Sequence, residues 1–385
     1  MAEDIRTAAD GVLSHIVRVG GEGADGYEQW LNQASTLDAG NGPRPEGDGT
    51  ALQLYTSGTT GLPKGVLLSE ANVAMLKIND TGLGLDLPGA VSLVAMPLFH
   101  IGGSGWALAG MVRGATSVLT ADIDPVRLLD TLEQQRVTHV FLVPAVLRML
   151  SAVPGAADRD LSALRCVLYG ASPITSAVLK RSMATLHAPH YQVYGLTETT
   201  AAVTQLDASD HDPGGPRAHL LRSAGRPYPW IELRIVDPST GEAAAVGDVG
   251  EVWVRSTQVT PGYWQRPSET VAVLTGDCWF RTGDTGYLDD DGYLFLTDRI
   301  TDMIVTGGEN VYPIEVEDVL CHHPAVADVA VIGVPDDRWG ETVKALVVRA
   351  AGTDDLTEQE LMAFCRNRLA GFKRPTSVDF VHTLP

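Results

Sequence analysis

The feature that most limits the fold is a set of short, almost continuously apolar runs separated by amphipathic segments. Val91–Ala95 and Val140–Val143 are such runs, and the amphipathic segment Val126–Gln135 lies between them. A strand with one solvated face alternates apolar and polar residues, whereas a continuous run is typical of a strand covered by helices on both faces. The sequence therefore predicts an α/β fold between residues 66 and 204, with ligands gathering at the carboxyl ends of the strands.

Length and composition restrict the class of protein further. The chain has 385 residues, enough for more than one domain, and its net charge of -20 argues against nucleic acid or an anionic membrane as a partner. It has no apolar run of membrane-spanning length, and its four cysteines form no C-x-x-C pair. These properties predict a reduced, cytoplasmic protein.

The chain changes character after residue 212. Between about 213 and 298 it consists of short β runs and turns, among them Ile231–Val236 and Gly250–Ser256, which predicts a small β-barrel. Beyond residue 300, the runs Asp328–Gly333 and Ala345–Arg349 read as strands, and helices are expected at Ile314–Leu320 and around Glu358. This last part is typical of a small α+β domain.

The start of the chain is less regular. One helix is predicted over Ile5–Val17, followed by a Gly-, Asp- and Pro-rich loop from Leu37 to Thr50.

A polar loop between two apolar strands is the first candidate site. Residues 55–66 read Y-T-S-G-T-T-G-L-P-K-G-V, flanked by the apolar runs 51–54 and 66–68. Glycines let backbone N–H groups converge on one anion, hydroxyls add donors, and a lysine supplies a mobile positive charge for phosphate oxygens. The spacing differs from G-x-x-x-x-G-K-[ST], because Pro63 precedes Lys64 and Gly65 follows it, so a Walker-type NTPase is disfavoured.

This loop resembles the phosphate-binding signature of the adenylate-forming superfamily, which includes acyl-CoA synthetases, luciferases and the adenylation domains of peptide synthetases. Later motifs of that superfamily recur in the expected order: G-A-S-P at 170–173, Y-G-L-T-E-T at 194–199, R-T-G-D at 281–284, D-R at 298–299 and G-G-E-N at 307–310. The resemblance implies a large domain of helix-covered sheets plus a small β-barrel over residues 1–299. A small, mobile α+β C-terminal domain is expected over 300–385, and the stretch Asp298–Ile304 resembles the hinge that leads into it.

The resemblance also implies a set of functional residues. Those expected to bind the nucleotide are Thr56, Ser57, Gly58, Thr59, Thr60, Gly61, Lys64, Gly170, Ala171, Ser172, Tyr194, Gly195, Thr197, Asp284 and Arg299. Lys64, Thr197 and Glu198 are expected to be catalytic, together with His100, and Glu198 to bind magnesium, for which a carboxylate is a suitable hard ligand. Glu251 is a further candidate on the magnesium side.

Other residues are expected to bind the two remaining substrates. His100 and Gly195 are expected at the acid, with Trp106 a further candidate that would equally suit the core. Gly308, Trp339, Phe372 and Arg374 are expected at CoA, where the cationic side chain suits a phosphate and the aromatic rings suit the adenine. Alternatively, these four residues are ordinary surface residues with no role in binding CoA.

The implied activity is ATP-dependent acyl-CoA formation. A carboxylic acid, expected to be a medium or long fatty acid, attacks the α-phosphorus of ATP, and CoA then displaces AMP from the acyl-adenylate. ATP, magnesium and CoA are the expected cofactors and co-substrates. The sequence does not decide whether the protein forms a homo-oligomer. The alternatives are an aryl-acid CoA ligase, an adenylation domain that loads a carrier protein, and a nucleotide-binding remnant without full activity.

Both ends of the chain look short beside the superfamily pattern. Most of an N-terminal subdomain is expected to be missing, and the last segment, whose lysine supports adenylation, has no match before Pro385. On this interpretation, adenylation is expected to be impaired.

Overall fold

The computed structural model describes residues 27–33, 49–56, 62–78, 81–120, 122–299, 303–307, 309–336, 338–366 and 368–384. The chain divides into two compact units, 1–46 and 47–385. In the first unit the description covers one helix, α1 (Tyr27–Gln33). The helix predicted over Ile5–Val17 lies outside the described residues.

The centre of the second unit is a seven-stranded sheet in the order β4-β3-β5-β6-β7-β8-β9. Its first five strands are parallel, and the last two are antiparallel to their neighbours. The strands are β3 (Val91–Val94), β4 (Thr116–Leu119), β5 (His139–Leu142), β6 (Cys166–Gly170), β7 (His190–Gly195), β8 (Ala202–Leu206) and β9 (Arg226–Pro227).

Helices cross between the parallel strands and bury both faces of this sheet. They are α3 (Ile101–Val112), α4 (Pro125–Gln134), α5 (Pro144–Ala152) and α6 (Ser176–Leu186), preceded in the chain by α2 (Glu70–Ile78). All four residues of β5 and all five of β6 are buried. The α/β fold predicted from the continuous apolar runs is confirmed, and the physical reason is this two-sided coverage.

Two smaller antiparallel sheets lie beside the large one. The first joins β1 (Thr50–Thr56), β2 (Lys64–Ser69) and β12 (Gly262–Tyr263). The second has the order β10-β11-β13-β14 and consists of β10 (Glu232–Val236), β11 (Gly250–Arg255), β13 (Phe280–Leu288) and β14 (Leu294–Arg299). Helix α7 (Pro267–Val273) lies between β12 and β13 in the chain.

The region predicted to be a small barrel is this open four-stranded sheet. A barrel would require β14 to pair with β10, but β14 hydrogen-bonds elsewhere: Leu294 N donates to Gly225 O at 2.8 Å, and Ala224 N donates to Leu294 O at 2.7 Å. The outer edge of β14 is therefore used, in part, to join this sheet to the segment leading into β9. The short β runs in this region were predicted correctly, but not their closure.

The C-terminal part, 303–384, forms its own sheet, β16-β15-β18-β17, with β19 parallel to β18. Its elements are β15 (Ile304–Thr306), β16 (Glu309–Val311), α8 (Pro313–Cys321), β17 (Val326–Asp336), β18 (Gly340–Arg349), α9 (Glu358–Cys365) and β19 (Ser377–Phe380). The predicted α+β texture is confirmed, whereas the domain boundary at 299/300 and the hinge stay predictions. Among the described helices, none is long and apolar enough to cross a membrane.

Candidate active site

Several predicted nucleotide residues lie at the carboxyl ends of two neighbouring parallel strands, β6 and β7. Gly170 ends β6, and Tyr194 and Gly195 end β7, while His100 follows β3 and immediately precedes α3. Strand ends at one edge of a parallel sheet are where such folds bind ligands. The fold therefore brings motifs that are far apart in the sequence to the same edge.

Backbone crowding explains two glycines of these motifs. A Cβ atom on Gly170 would lie 2.2 Å from Val193 O, and one on Gly195 would lie 2.1 Å from Ala201 O. Ala171, next in the chain, has a φ of 67°, in the left-handed region that L-residues rarely adopt. The G-A-S-P motif at 170–173 thus begins at a strand end that is packed too closely for a side chain.

The structure brings Tyr194 and Asp284 together across two sheets. The Tyr194 hydroxyl donates to Asp284 Oδ2 at 2.6 Å, and both residues are buried. Arg299 faces Asp284 in the ladder between β13 and β14, although its side chain lies outside the described atoms. Two residues that the resemblance assigns to the nucleotide are therefore in direct contact.

A second group of residues surrounds Glu198. This residue lies in a short 3-10 turn, Thr197–Thr199, and its carboxylate Oε1 accepts a hydrogen bond of 3.0 Å from the Tyr263 hydroxyl. Burial, followed by the charge of Glu198, raises the pKa of Tyr263 well above its usual value, so the phenol stays protonated and donates. Thr260 N donates to Glu198 O at 2.7 Å, which attaches the turn to the segment leading into β12.

Lys64 completes this group. It lies opposite Thr56 in the β1–β2 ladder, and its ammonium Nζ is 5.3 Å from the centre of the Tyr263 ring. The same Nζ is 2.9 Å from Glu269 Oε2 in α7. Residues 57–61, which include the predicted ligands Ser57, Gly58, Thr59, Thr60 and Gly61, lie outside the described part of the chain.

The carboxylate of Glu198 fits a magnesium site of the kind that phosphates complete. Magnesium typically takes one or two protein carboxylates and fills its other positions with water and substrate phosphates. Among the described residues no group of three or more His, Cys, Asp or Glu side chains could hold a metal. Any magnesium held by Glu198 would therefore depend on the phosphates of a bound nucleotide.

The carboxylate of Glu251 accepts two hydrogen bonds within the four-stranded sheet. Its Oε1 accepts from Gly283 N at 3.2 Å and its Oε2 from Trp253 Nε1 at 2.7 Å. The carboxylate thus supports the turn that precedes Asp284, and its place on the magnesium side stays a prediction.

An apolar cavity of about 150 Å³ opens beside the strand ends. Trp106 lines it from α3, and Gly102 and Gly105 lie on the same helix, whereas His100 is exposed and is not among the lining residues. The opposite wall includes Phe141, Leu168 and Gly195. Of the two residues expected at the acid, Gly195 lines this cavity and His100 does not.

A larger cleft of about 830 Å³ lies next to the cavity. Its walls include the predicted nucleotide residues Ala171, Ser172, Tyr194 and Asp284, together with residues of the C-terminal sheet such as Glu341. Ala171, Val193, Gly195 and Leu196 line both spaces. The apolar cavity and the polar cleft therefore meet at the end of β7.

The residues predicted to bind CoA differ in how exposed and how engaged their side chains are. Trp339 and Phe372 are about half exposed, and the Arg338 guanidinium lies 4.6 Å from the Trp339 ring. Arg374 donates to the carbonyl oxygens of Leu369 at 3.0 Å and Arg366 at 2.8 Å, so its guanidinium supports the chain that follows α9. Gly308 lies outside the described residues.

Comparison with known proteins agrees with this architecture. The family model for AMP-binding enzymes matches residues 4–264, and the model for the AMP-binding enzyme C-terminal domain matches residues 315–385. The chain belongs to the AMP-binding enzyme family. Its resemblance to the adenylate-forming superfamily, and the large-plus-small domain arrangement that this implied, are confirmed.

Individual relatives differ in the acid and the acceptor they use. The chain is 40% identical over 368 residues to the fatty acid–[acyl-carrier-protein] ligase ScoC of Streptomyces coeruleorubidus, covering 94% of this chain and 69% of ScoC. It is 41% identical over 367 residues to the feruloyl-CoA synthase of an Amycolatopsis species, covering 91% and 71% of the two chains.

Among solved structures, the amide bond synthetase McbA from Marinactinospora thermotolerans aligns with a TM-score of 0.86 and 35% identity. The alignment covers 100% of this chain and 74% of McbA. Adenylate-forming CoA ligases use ATP, magnesium and CoA. The comparisons place the chain among acyl-CoA, aryl-CoA and carrier-protein ligases without fixing the acid, and they give no support to impaired adenylation.

Two residues of this site were not predicted from the sequence. Tyr263 and Glu269 belong to the string P-G-Y-W-Q-R-P-S-E-T at 261–270. Read alone, this string indicates a turn followed by a short helix that begins at a proline. The pairing of β12 with β2, which places Tyr263 opposite Val66, is what brings the string to Lys64.

Proposed function

We propose that this protein is an ATP-dependent acid–thiol ligase that activates a carboxylic acid as an acyl-adenylate and transfers the acyl group to CoA. The observation that carries the proposal is the junction of two spaces at the end of β7. An apolar cavity suited to an acyl group and a polar cleft lined by Tyr194 and Asp284 share Gly195 and Leu196 as walls. A carboxylate held at that junction would face the α-phosphate of a nucleotide in the cleft.

Four residues of the proposed nucleotide site have a proposed task in the first half-reaction. Lys64 would hold the β- and γ-phosphates, Thr197 the α-phosphate, and Asp284 the ribose hydroxyls. Magnesium bound at Glu198 would neutralise phosphate charge. Positioning and charge stabilisation are the main contributions that a protein makes to such a reaction.

The acid cavity supports a compact acid better than a long chain. An apolar cavity of this size, about 150 Å³, is sufficient for a benzene ring. Its lining is mainly apolar and includes Trp106 and Phe141, whose rings lie 6.3 Å apart. We therefore favour an aryl or short-chain acid over the medium or long fatty acid that the sequence resemblance suggested.

The acceptor is proposed to be CoA, with a carrier protein as the second candidate. The exposed Trp339 ring and its neighbour Arg338 offer a surface for an adenine and a phosphate. The second candidate is favoured by Arg374, which is already engaged by two carbonyl oxygens and so is poorly placed to bind a CoA phosphate.

Pyrophosphate exchange over a panel of acids tests the proposal. Labelled pyrophosphate should enter ATP in the presence of an aryl or short acid and magnesium. Addition of CoA or of a phosphopantetheinylated carrier protein should then identify the acceptor. If ATP raises the melting temperature but no acid supports exchange, the chain is a nucleotide-binding remnant and the ligase proposal fails.

A further inference from the structure

Lys64, the proposed phosphate ligand, already has an anionic partner within the protein. Its Nζ lies 2.9 Å from Glu269 Oε2, and the two side chains are 16% and 29% exposed. Glu269 is in the first turn of α7, and its Oε1 is 3.6 Å from Arg266 Nη1. The carboxylate therefore lies between two cations, with each oxygen directed to a different one.

The Lys64–Glu269 contact is close, but it is poorly directed. Within the described part of the chain, Glu269 Oε2 is buried and makes no hydrogen bond of good geometry. A buried carboxylate oxygen without directed hydrogen bonds is unusual, because such atoms are normally satisfied. The ion pair compensates the charge of Glu269, but it does not fix the ammonium as a directed hydrogen bond would.

A carboxylate and a phosphate are equivalent partners for a lysine ammonium, which is a compact point charge with three rotatable donors. The β- and γ-phosphates of ATP would therefore compete with Glu269 for the same Nζ. Arg266, at 3.6 Å from the other oxygen, offers Glu269 an alternative partner when Lys64 is taken.

We propose that Glu269 is an exchangeable counter-ion of Lys64, which holds the ammonium until a polyphosphate displaces it and then pairs with Arg266. The proposal rests on the proposed function, in which Lys64 binds the β- and γ-phosphates. Glu269 makes and breaks no covalent bond. Its effect is to weaken the binding of ATP and pyrophosphate, and so to favour pyrophosphate release once the acyl-adenylate has formed.

The test compares nucleotide affinities of Glu269→Gln and wild type by calorimetry, with ATP and AMP as ligands. Glutamine keeps the shape of the side chain and removes the competing charge, so ATP should bind about three- to tenfold more tightly. AMP lacks the β- and γ-phosphates and should bind equally to both proteins. Glu232→Gln is the matched control, because it also removes one negative charge from an ion pair, that with Arg255.

Two further variants make the test specific to Lys64. In a Lys64→Ala background, Glu269→Gln should no longer change ATP affinity, since the residue that it competes for is gone. Arg266→Gln should weaken ATP binding, because it removes the alternative partner of Glu269. Circular dichroism of each variant verifies folding.

The proposal is overturned if Glu269→Gln leaves ATP affinity unchanged, since the carboxylate would then not compete with ATP. It is overturned as well if the variant binds ATP more weakly, since the carboxylate would then position Lys64. It is also overturned if AMP affinity or the Glu232→Gln protein shows the same increase, since net charge would then be the cause. If wild type binds no ATP, or if Lys64→Ala binds ATP as tightly as wild type, Lys64 is not a phosphate ligand. The proposed function of Lys64 then fails, and the counter-ion proposal fails with it.

Discussion

The acid cavity and the nucleotide cleft share the end of β7, but they are constructed differently. The cavity is about 150 Å³ and is lined by residues of α3 and the seven-stranded sheet, together with residues of other segments such as Leu76, Tyr228 and Trp230. The cleft is about 830 Å³, and its walls come from the parallel sheet, the four-stranded sheet and the C-terminal sheet. The walls of the cavity are mainly apolar, whereas the cleft has more polar walls and lies where three sheets meet.

This difference indicates how the two halves of the site can change. The cavity is formed by close-packed residues, in which one added methyl group is felt. The cleft depends on a few polar contacts between separate elements, such as that of Tyr194 with Asp284, in which the loss of one residue removes a buried hydrogen bond from the other. Substitutions in the cavity should therefore change which acid is used, and substitutions in the cleft should change whether the nucleotide is used at all.

The strongest test of the proposed nucleotide site is Lys64→Ala. We expect the rate of acyl-adenylate formation to fall about a hundred- to a thousandfold, because one charged donor to the departing pyrophosphate is lost. Single-turnover formation of acyl-AMP measures this rate for several acids. The loss should be the same for every acid, and a loss that depends on the acid would break the separation between cleft and cavity.

Asp284→Ala should have the next largest effect. Each charge-assisted hydrogen bond to the ribose contributes roughly 1.5–3 kcal/mol, so AMP affinity should fall by about ten- to a hundredfold. The control is Asp290→Ala, which removes an exposed turn aspartate in the same region. Equal AMP affinities for the two variants in calorimetry would exclude Asp284 from the nucleotide site.

Gly105→Ala should have the smallest effect, and it should be confined to the acid. A Cβ at this position would meet Ile101 at 3.4 Å and Thr200 O at 3.8 Å, so alanine fits while it narrows the cavity. The KM for the bulkiest accepted acid should rise by roughly two- to tenfold, with the KM for ATP unchanged.

Gly110→Ala on the same helix is the matched control for that experiment. Its Cβ would lie 3.6 Å from Ser92, and the residue does not line the cavity. If both alanine variants change the KM of the acid equally, the effect comes from the helix and the proposed acid cavity is wrong.

Much of the fold could be predicted because the relevant signals are local. The strand predicted at Val140–Val143 is observed at His139–Leu142, and the helix predicted at Val126–Gln135 is observed at Pro125–Gln134. Both follow from apolar periodicity, which needs no knowledge of distant residues. The barrel was predicted wrongly because its closure depends on a partner strand, and the edge of β14 instead bonds to Gly225.

In the candidate site, too, local motifs could be predicted and contacts between distant residues could not. The motif order was sufficient to predict that Tyr194 and Asp284 serve one nucleotide, and the structure places them in contact. The ion pair of Lys64 with Glu269 joins residues that are far apart in the sequence, and neither residue's local pattern indicates the other. The engagement of Arg374 by carbonyl oxygens likewise depends on where the chain turns after α9.

The crowding at Gly195 has a consequence for engineering the range of acids. One wall of the cavity is fixed by main-chain atoms, because any side chain at Gly195 would collide with Ala201 O. The facing wall on α3 has room at Gly105, where added atoms make only ordinary contacts. A variant library aimed at new acids would therefore retain glycine at the strand end and vary the helix, and the diversity that it recovers should concentrate on α3.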